Sequence, residues 1–231
     1  MTMNTHRKTL LAALAGTAFL AGSVQAATIT GVTIEDVGSE LVFPPFPFEF
    51  DRMASYTLDG VGYEVGVQNT HSSGLEGVHW LSTGTGFGIN GITPQPLPTF
   101  IVYDLEGNYD LDSFTVWNYN EAFSQSRGAN AVTVSVADSV GGTFTPLAGI
   151  TNFAIAPGND TTLYGETFDL TSLAAADDVR LVRIDITSNY GAGESVTGLS
   201  EIRFGGTLIP EPSSLALLGL GGLFMCQRRR R

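Results

Sequence analysis

Few side chains between residues 27 and 209 could do covalent chemistry. His71 and His79 are the only histidines there, eight residues apart in a stretch rich in Gly, Ser, Thr and Asn. Two histidines without a nearby third nitrogen or sulfur ligand give only a weak zinc signal, and they read better as ordinary polar loop residues. No Gly-x-Ser-x-Gly elbow, phosphate-cradling glycine loop or His-Glu-x-x-His pair occurs, and the single cysteine, Cys226, lies in the C-terminal tail. Asp110 and Asp112 could stand as a glycosidase pair, whose carboxyl groups must lie about 5 to 9.5 Å apart. Among the 22 carboxylates of this region such a pair arises by chance. The chain therefore reads as a binding or structural protein rather than an enzyme.

The ends of the chain carry addresses. At the N-terminus Arg7 and Lys8 precede an apolar run from Leu10 to Ala21, and Val24-Gln25-Ala26 forms a small-residue cut site. These features predict a secretory signal peptide over residues 1–26, cleaved after Ala26. From Ala27 to Ile209 there are five arginines, no lysine and 22 acidic residues, a balance of −17 against −12 for the whole chain. Nucleic acid is excluded as a partner, because its affinity comes from Lys and Arg displacing counterions. Excess carboxylate suits solubility and divalent cations instead. With no cysteine in the body, the core alone must hold it together.

The last 22 residues read Pro210-Glu211-Pro212, Ser213-Ser214, an apolar run from Leu215 to Cys226, Gln227, and Arg228, Arg229, Arg230 and Arg231. Twelve residues rise only about 18 Å as a helix, against a hydrocarbon core of about 30 Å, so the run can pause in a membrane but spans it poorly. The arginines stay on the cytoplasmic side and leave the body on the other. Proline-glutamate-proline, short apolar helix and arginine cluster, in that order, resemble the PEP-CTERM sorting signal of exported bacterial proteins. The resemblance implies exosortase as processing partner, transient inner-membrane association through the C-terminal helix, and a final place in the cell envelope or outside the cell.

The elements between these ends are short strands. Thr28 to Ile34 opens the body, and Phe43-Pro44-Pro45-Phe46-Pro47-Phe48 cannot be a central strand because its prolines lack donors. That run serves either as a polyproline-type recognition strip or as an edge whose rings plug the core. Leu58 to Pro98 is mostly loop, with a turn at Asp59-Gly60 and a short strand at Trp80-Leu81-Ser82. Strands then follow at Phe100–Leu105, Phe114–Tyr119, Ala131–Ala137, Glu166–Leu170, Val179–Thr187 and Glu201–Phe204. Val132, Val134 and Val136, and again Val182, Ile184 and Ile186, alternate with polar residues, the period of a sheet with one buried face. Only Ser172 to Asp177 suggests a helical turn. Such strands predict an all-β fold, an antiparallel β-sandwich or jelly roll over residues 27–207, flanked by the signal helix (1–26) and the sorting helix (208–231).

Tyr103-Asp104-Leu105, Val116-Trp117-Asn118-Tyr119-Asn120-Glu121, Arg127-Gly128, the Val132–Val136 strand, Gly141-Gly142-Thr143-Phe144, Val179–Ile184 and Leu199-Ser200-Glu201-Ile202-Arg203-Phe204 come in a particular order. That order resembles the galactose-binding-like jelly roll of discoidin, or coagulation factor type C, modules, over roughly Asp59 to Gly206. The resemblance implies a structural calcium held by Glu201 and by Asp59 of the early Asp-Gly turn, with loop carbonyls supplying the remaining oxygens. In a bland alternative, Glu201 caps a strand or pairs with an arginine. The resemblance also implies a carbohydrate site on loops at one end of the sandwich, where an aromatic face stacks on the sugar. Trp117, Asn118, Tyr119, Asn120, Glu121 and Arg127 fit that chemistry. The same residues fit a structural reading, with Trp117 in the core and Arg127 as the internal partner of Glu121.

Two functions remain: an exported module that binds exopolysaccharide or another glycan, and a non-catalytic, self-associating surface or biofilm matrix protein without a small ligand.

Overall fold

A computed structural model of the protein describes residues 27–40, 52–60, 70–74, 79–82, 97–191 and 196–210. The expected signal segment, the Phe43–Phe48 run and the tail from Glu211 onward lie outside the described residues. The body is an antiparallel β-sandwich: β1 (Ala27–Thr28), β2 (Thr33–Val37), β3 (Trp80–Leu81), β4 (Thr99–Asn118), β5 (Val132–Ala137), β6 (Thr145–Pro146), β7 (Glu166–Asp169), β8 (Val179–Ile186) and β9 (Gly198–Leu208). The helical segments among the described residues are short 3-10 turns at Ala54–Thr57, Gln125–Arg127 and Ala174–Ala176. The last of these falls within the alanine-rich stretch expected to form one turn.

β4 organises both layers. Its first half, Thr99 to Asp104, pairs with β8 and Ile101 to Asp104 with β2, while its second half, Tyr109 to Asn118, pairs with β9 and Ser113 to Val116 with β7. Between the halves Glu106 sits at φ 59, and the strand turns from one layer into the other. The sequence reads as two strands here because Glu106 to Asp112 looks like a turn. The ladder runs through it because Tyr109 finds Val179 on one side and Leu208 on the other. Conversely, the opening strand expected at Thr28–Ile34 is two, β1 and β2, separated at Gly31, whose φ of 79 favours glycine.

Alternation places Ile101, Tyr103 and Leu105 of β4, Val132, Val134 and Val136 of β5, and Val182, Ile184 and Ile186 of β8 in one core with Phe114, Ile202 and Phe204 of the other layer. The Tyr103 and Phe204 rings meet edge-on at 5.4 Å, and each fully buried large apolar side chain contributes about 1.5–3 kcal/mol. Two polar tips in this core are satisfied: Tyr103 Oη lies 3.1 Å from Thr57 Oγ1, and Trp80 Nε1 donates to Ser39 O at 3.1 Å. A smaller cluster of Val102, Ala137 and Leu181 lies on the outward positions of the same strands, with Phe100 and Phe144 packed against it.

Register also defines two ends. Tyr109 lies opposite Leu208 at one, and Asn118 opposite Leu199 at the other, a strand rise of about 30 Å between them.

Candidate functional site

At the Asn118 end several loops converge and are stitched together from below. β4 closes with a register shift between Trp117 and Asn118, which turns the Asn118 side chain into the loop base. There Asn118 Oδ1 accepts from Tyr119 N and Ala129 N, both at 2.9 Å, and Nδ2 donates to Ala129 O (2.8 Å) and Ala154 O (2.9 Å). Asn120 repeats the device: its Nδ2 donates to His71 O (2.8 Å) and Asn159 O (3.0 Å), and its Oδ1 accepts from Gly158 N (2.8 Å). Two amides thus tie their own strand end to His71, to Ala129 and to the 154–159 stretch, and both are buried.

Tyr119 and Glu121 are buried with them. The Tyr119 hydroxyl donates to Glu121 Oε2, and the same oxygen lies 3.7 Å from Arg52 Nη2 and 3.8 Å from Arg127 Nη1. Burial, ahead of the contact with Glu121, raises the Tyr119 hydroxyl above its ordinary pKa, so it remains a donor. Trp117 is buried as well, and Gly165 lies against it so closely that a Cβ there would stand 2.7 Å from the indole. Expecting Trp117 or Tyr119 as an open stacking face, and Asn118, Asn120 or Glu121 as grips for sugar hydroxyls, therefore needs correction. These five side chains face inward: Trp117 packs in the interior, and the polar atoms of the other four are engaged by neighbouring segments and charges. Arg127, with its side chain 23% exposed, alone among the expected residues reaches solvent to any extent.

The histidines join this base. His79 Nε2 lies 3.0 Å from the Gly74 carbonyl and Nδ1 2.8 Å from Ser200 Oγ, which is also 2.9 Å from Asn118 O. Since a carbonyl only accepts, the proton of the neutral ring sits on Nε2. Burial lowers His79 to about 3, with neighbouring His71 and Arg52 adding, and lowers His71 to about 4. Their rings are 5.3 Å apart, and the His79 ring lies 5.1 Å from Tyr119. Among the described residues no group of three or more His, Cys, Asp or Glu is placed to hold a metal.

Sequence reasoning missed Phe123. It is 100% exposed and held at φ 65 in the turn closed by Ser124 N to Glu121 O at 3.0 Å, next to Ala122 N, which donates to Ser73 O at 3.1 Å. A bulky side chain in the left-handed region costs free energy that the surrounding bonds must offset, and such positions concentrate at functional sites. The available signal was an aromatic residue amid Ser124, Gln125 and Ser126, outside any alternating run.

Asp59 and Glu201, 142 residues apart in the sequence, lie close enough for their charges to interact. Glu201 is fully buried and touches Arg203, yet burial, with the Asp59 carboxylate adding and Arg203 opposing, raises it to about 8. A buried carboxylate beside a second one, with the Gly60 amide donating to it, favours a neighbouring positive charge. Arg203 is the cation in place.

At the opposite end β9 runs out at Leu208, Ile209 N donates to Asn108 O at 2.8 Å, and Pro210 is exposed. Residues 208–231 match the PEP-CTERM protein-sorting motif, so the motif begins on the last residue of β9. The structure resembles the C-terminal domain of a chitobiase from Bacteroides fragilis, with 14% identity, covering 80% of this chain and 100% of that one at a TM-score of 0.51. It also resembles the CBM32-3 module of a family 31 glycoside hydrolase from Clostridium perfringens, with 12% identity, covering 79% and 95% at a TM-score of 0.51. The fold is thus that of the galactose-binding-like jelly rolls. Comparison with curated proteins finds no match.

Proposed function

We propose that this is an exported protein, sorted through its C-terminal motif, whose jelly-roll body binds a glycan at the loop end. The observation that carries this reading is Phe123, a wholly exposed ring held at positive φ above a buried polar base. An aromatic face of that kind stacks on the C–H face of a sugar, while Arg127 on the same turn supplies donors for hydroxyls or carboxylates. Trp117, Asn118, Tyr119, Asn120 and Glu121 act one layer below, fixing the loop. A stiff loop has little freedom to lose on binding, which favours affinity. The carbohydrate-binding module among the structural neighbours supports the ligand class, and the producer's exopolysaccharide is a ligand available at the export site.

In the same reading exosortase recognises Pro210-Glu211-Pro212 and removes the tail, after transient anchoring in the inner membrane. Glu201 and Asp59 would hold a structural calcium, which would neutralise two neighbouring carboxylates. The test of the binding function is polysaccharide pull-down with the wild-type chain and Phe123→Ala. Saturable binding weakened about tenfold, close to 1.4 kcal/mol, is expected. Equal retention of both proteins would move the site elsewhere.

A further inference from the structure

Both ends of the folded body leave it at the same place. β1 begins at Ala27, opposite Gly206, and the neighbouring β9 carries the chain out through Leu208, opposite Tyr109. Ala27, the first residue after the expected signal, and Pro210, the first residue of the sorting tripeptide, thus flank two paired strands about 4.8 Å apart. Nearby are Asn108, whose carbonyl holds Ile209 N and whose Nδ2 donates to Asp138 O, and the Asp138–Gly142 turn. Phe123, Ile155 and Asn159 belong to the loops at the Asn118 end, about 30 Å away along the strands.

We propose that the end formed by Ala27, Gly206–Pro210, Asn108 and the Asp138–Gly142 turn is the membrane-proximal face of the protein before processing, and that the Phe123 loops point away from the bilayer. The inference rests on the reading of the tail as a membrane tether. Ile209, held to Asn108, ends the folded body, and five residues, Pro210 to Ser214, lie between it and the apolar run. Fully extended they reach about 17 Å, less than the length of the body, so the tether cannot let the molecule turn over. Adsorption does not compete with it: among the described residues the exposed charges at this end are the carboxylates of Glu106, Asp110, Asp138, Asp177 and Asp178, and anionic headgroups attract Lys and Arg clusters instead. Arg180, next to Val179, is held by Asp104 at 3.0 Å. The outcome is a body that offers its binding loops to a polymer outside while its cut site stays at the membrane surface.

The experiment uses the signal-free chain, residues 27–231, with Cys226→Ser, carrying one new cysteine at either Val140 or Ile155, which are 53% and 52% exposed at the two ends. Each labelled protein is reconstituted into phosphatidylcholine vesicles containing a headgroup-labelled acceptor lipid. Energy transfer from position 140 should exceed that from 155 about twofold or more, given a separation near 30 Å. Flotation with equal or reversed transfer overturns the orientation and leaves the tether intact. Failure to float removes the tether, and the proposal with it.

Discussion

Glu201 and Arg203 lie two residues apart on β9, share one face of the sheet, and touch through carboxylate and guanidinium. An ion pair ordinarily lowers a carboxyl pKa. Here burial outweighs the attraction, because Glu201 is fully enclosed while a third of the Arg203 side chain stays in water.

That imbalance predicts a pH dependence. Glu201 is raised from 4.5 to about 8, so its contribution is complete below the unfolded value and lost as pH rises through the folded one. The wild-type urea midpoint should fall as pH rises from 4.5 to about 8, and the fall should be reduced in Glu201→Gln. Identical profiles would mean that another group titrates.

Calcium would reverse the same imbalance. If Asp59 and Glu201 hold the ion, melting should rise by the equivalent of about 2.7 kcal/mol at a hundredfold excess over Kd. The gain should be larger at about pH 8 than at pH 6, because the ion must displace the Glu201 proton. An unchanged Tm in EDTA, with metal analysis finding an empty protein, removes the site.

The histidine pair predicts acid lability from the loop end. His71 and His79 are lowered from 6.5 to about 4 and about 3. Their neutral burial therefore stabilises the fold above pH 6.5 and is lost progressively as pH falls through the folded values. His79→Gln, which still bridges Ser200 and Gly74, should flatten the acid limb of a stability profile recorded by tryptophan fluorescence. A variant as acid-sensitive as wild type would assign the loss to carboxylates elsewhere.

Tyr119 and Phe123 should separate folding from binding. Tyr119→Ala empties a buried ring site and removes a donor to Glu121, at a cost of about 3–5 kcal/mol. Phe123→Ala removes an exposed ring and should change stability by about 0.5 kcal/mol or less. Arg127→Ala should fall between them, its charge being partly hydrated. Chemical denaturation of the three variants decides, and a large loss in Phe123→Ala would show that the ring supports the fold.

Alanine in place of Pro210, Glu211 and Pro212 should leave a full-length, membrane-retained species in the native host. An immunoblot showing normal shortening of that variant would exclude the tripeptide as the recognition element.

Much of this protein was legible without its fold. The alternations at Val132–Val136 and Val182–Ile186 mark strands because side chains on a strand point to opposite faces, a rule that holds residue by residue. The tail was legible for the same reason: the sorting motif matched over residues 208–231 is a local pattern of Pro-Glu-Pro, apolar run and arginines that needs no distant partner. The continuity of β4 through Glu106–Asp112 was not, since a polar stretch becomes a strand only when β8 and β9 supply partners. The candidate site failed at the same point. Local sequence determined that residues 117–127 are aromatic, amide-rich and charged, but exposure is decided by what distant segments cover. His71, Gly158 and Gly165 come in from elsewhere in the chain to bury Asn120 and Trp117, and the bonds that close the turn leave Phe123 uncovered. The tertiary structure alone decided which ring of the loop meets the solvent.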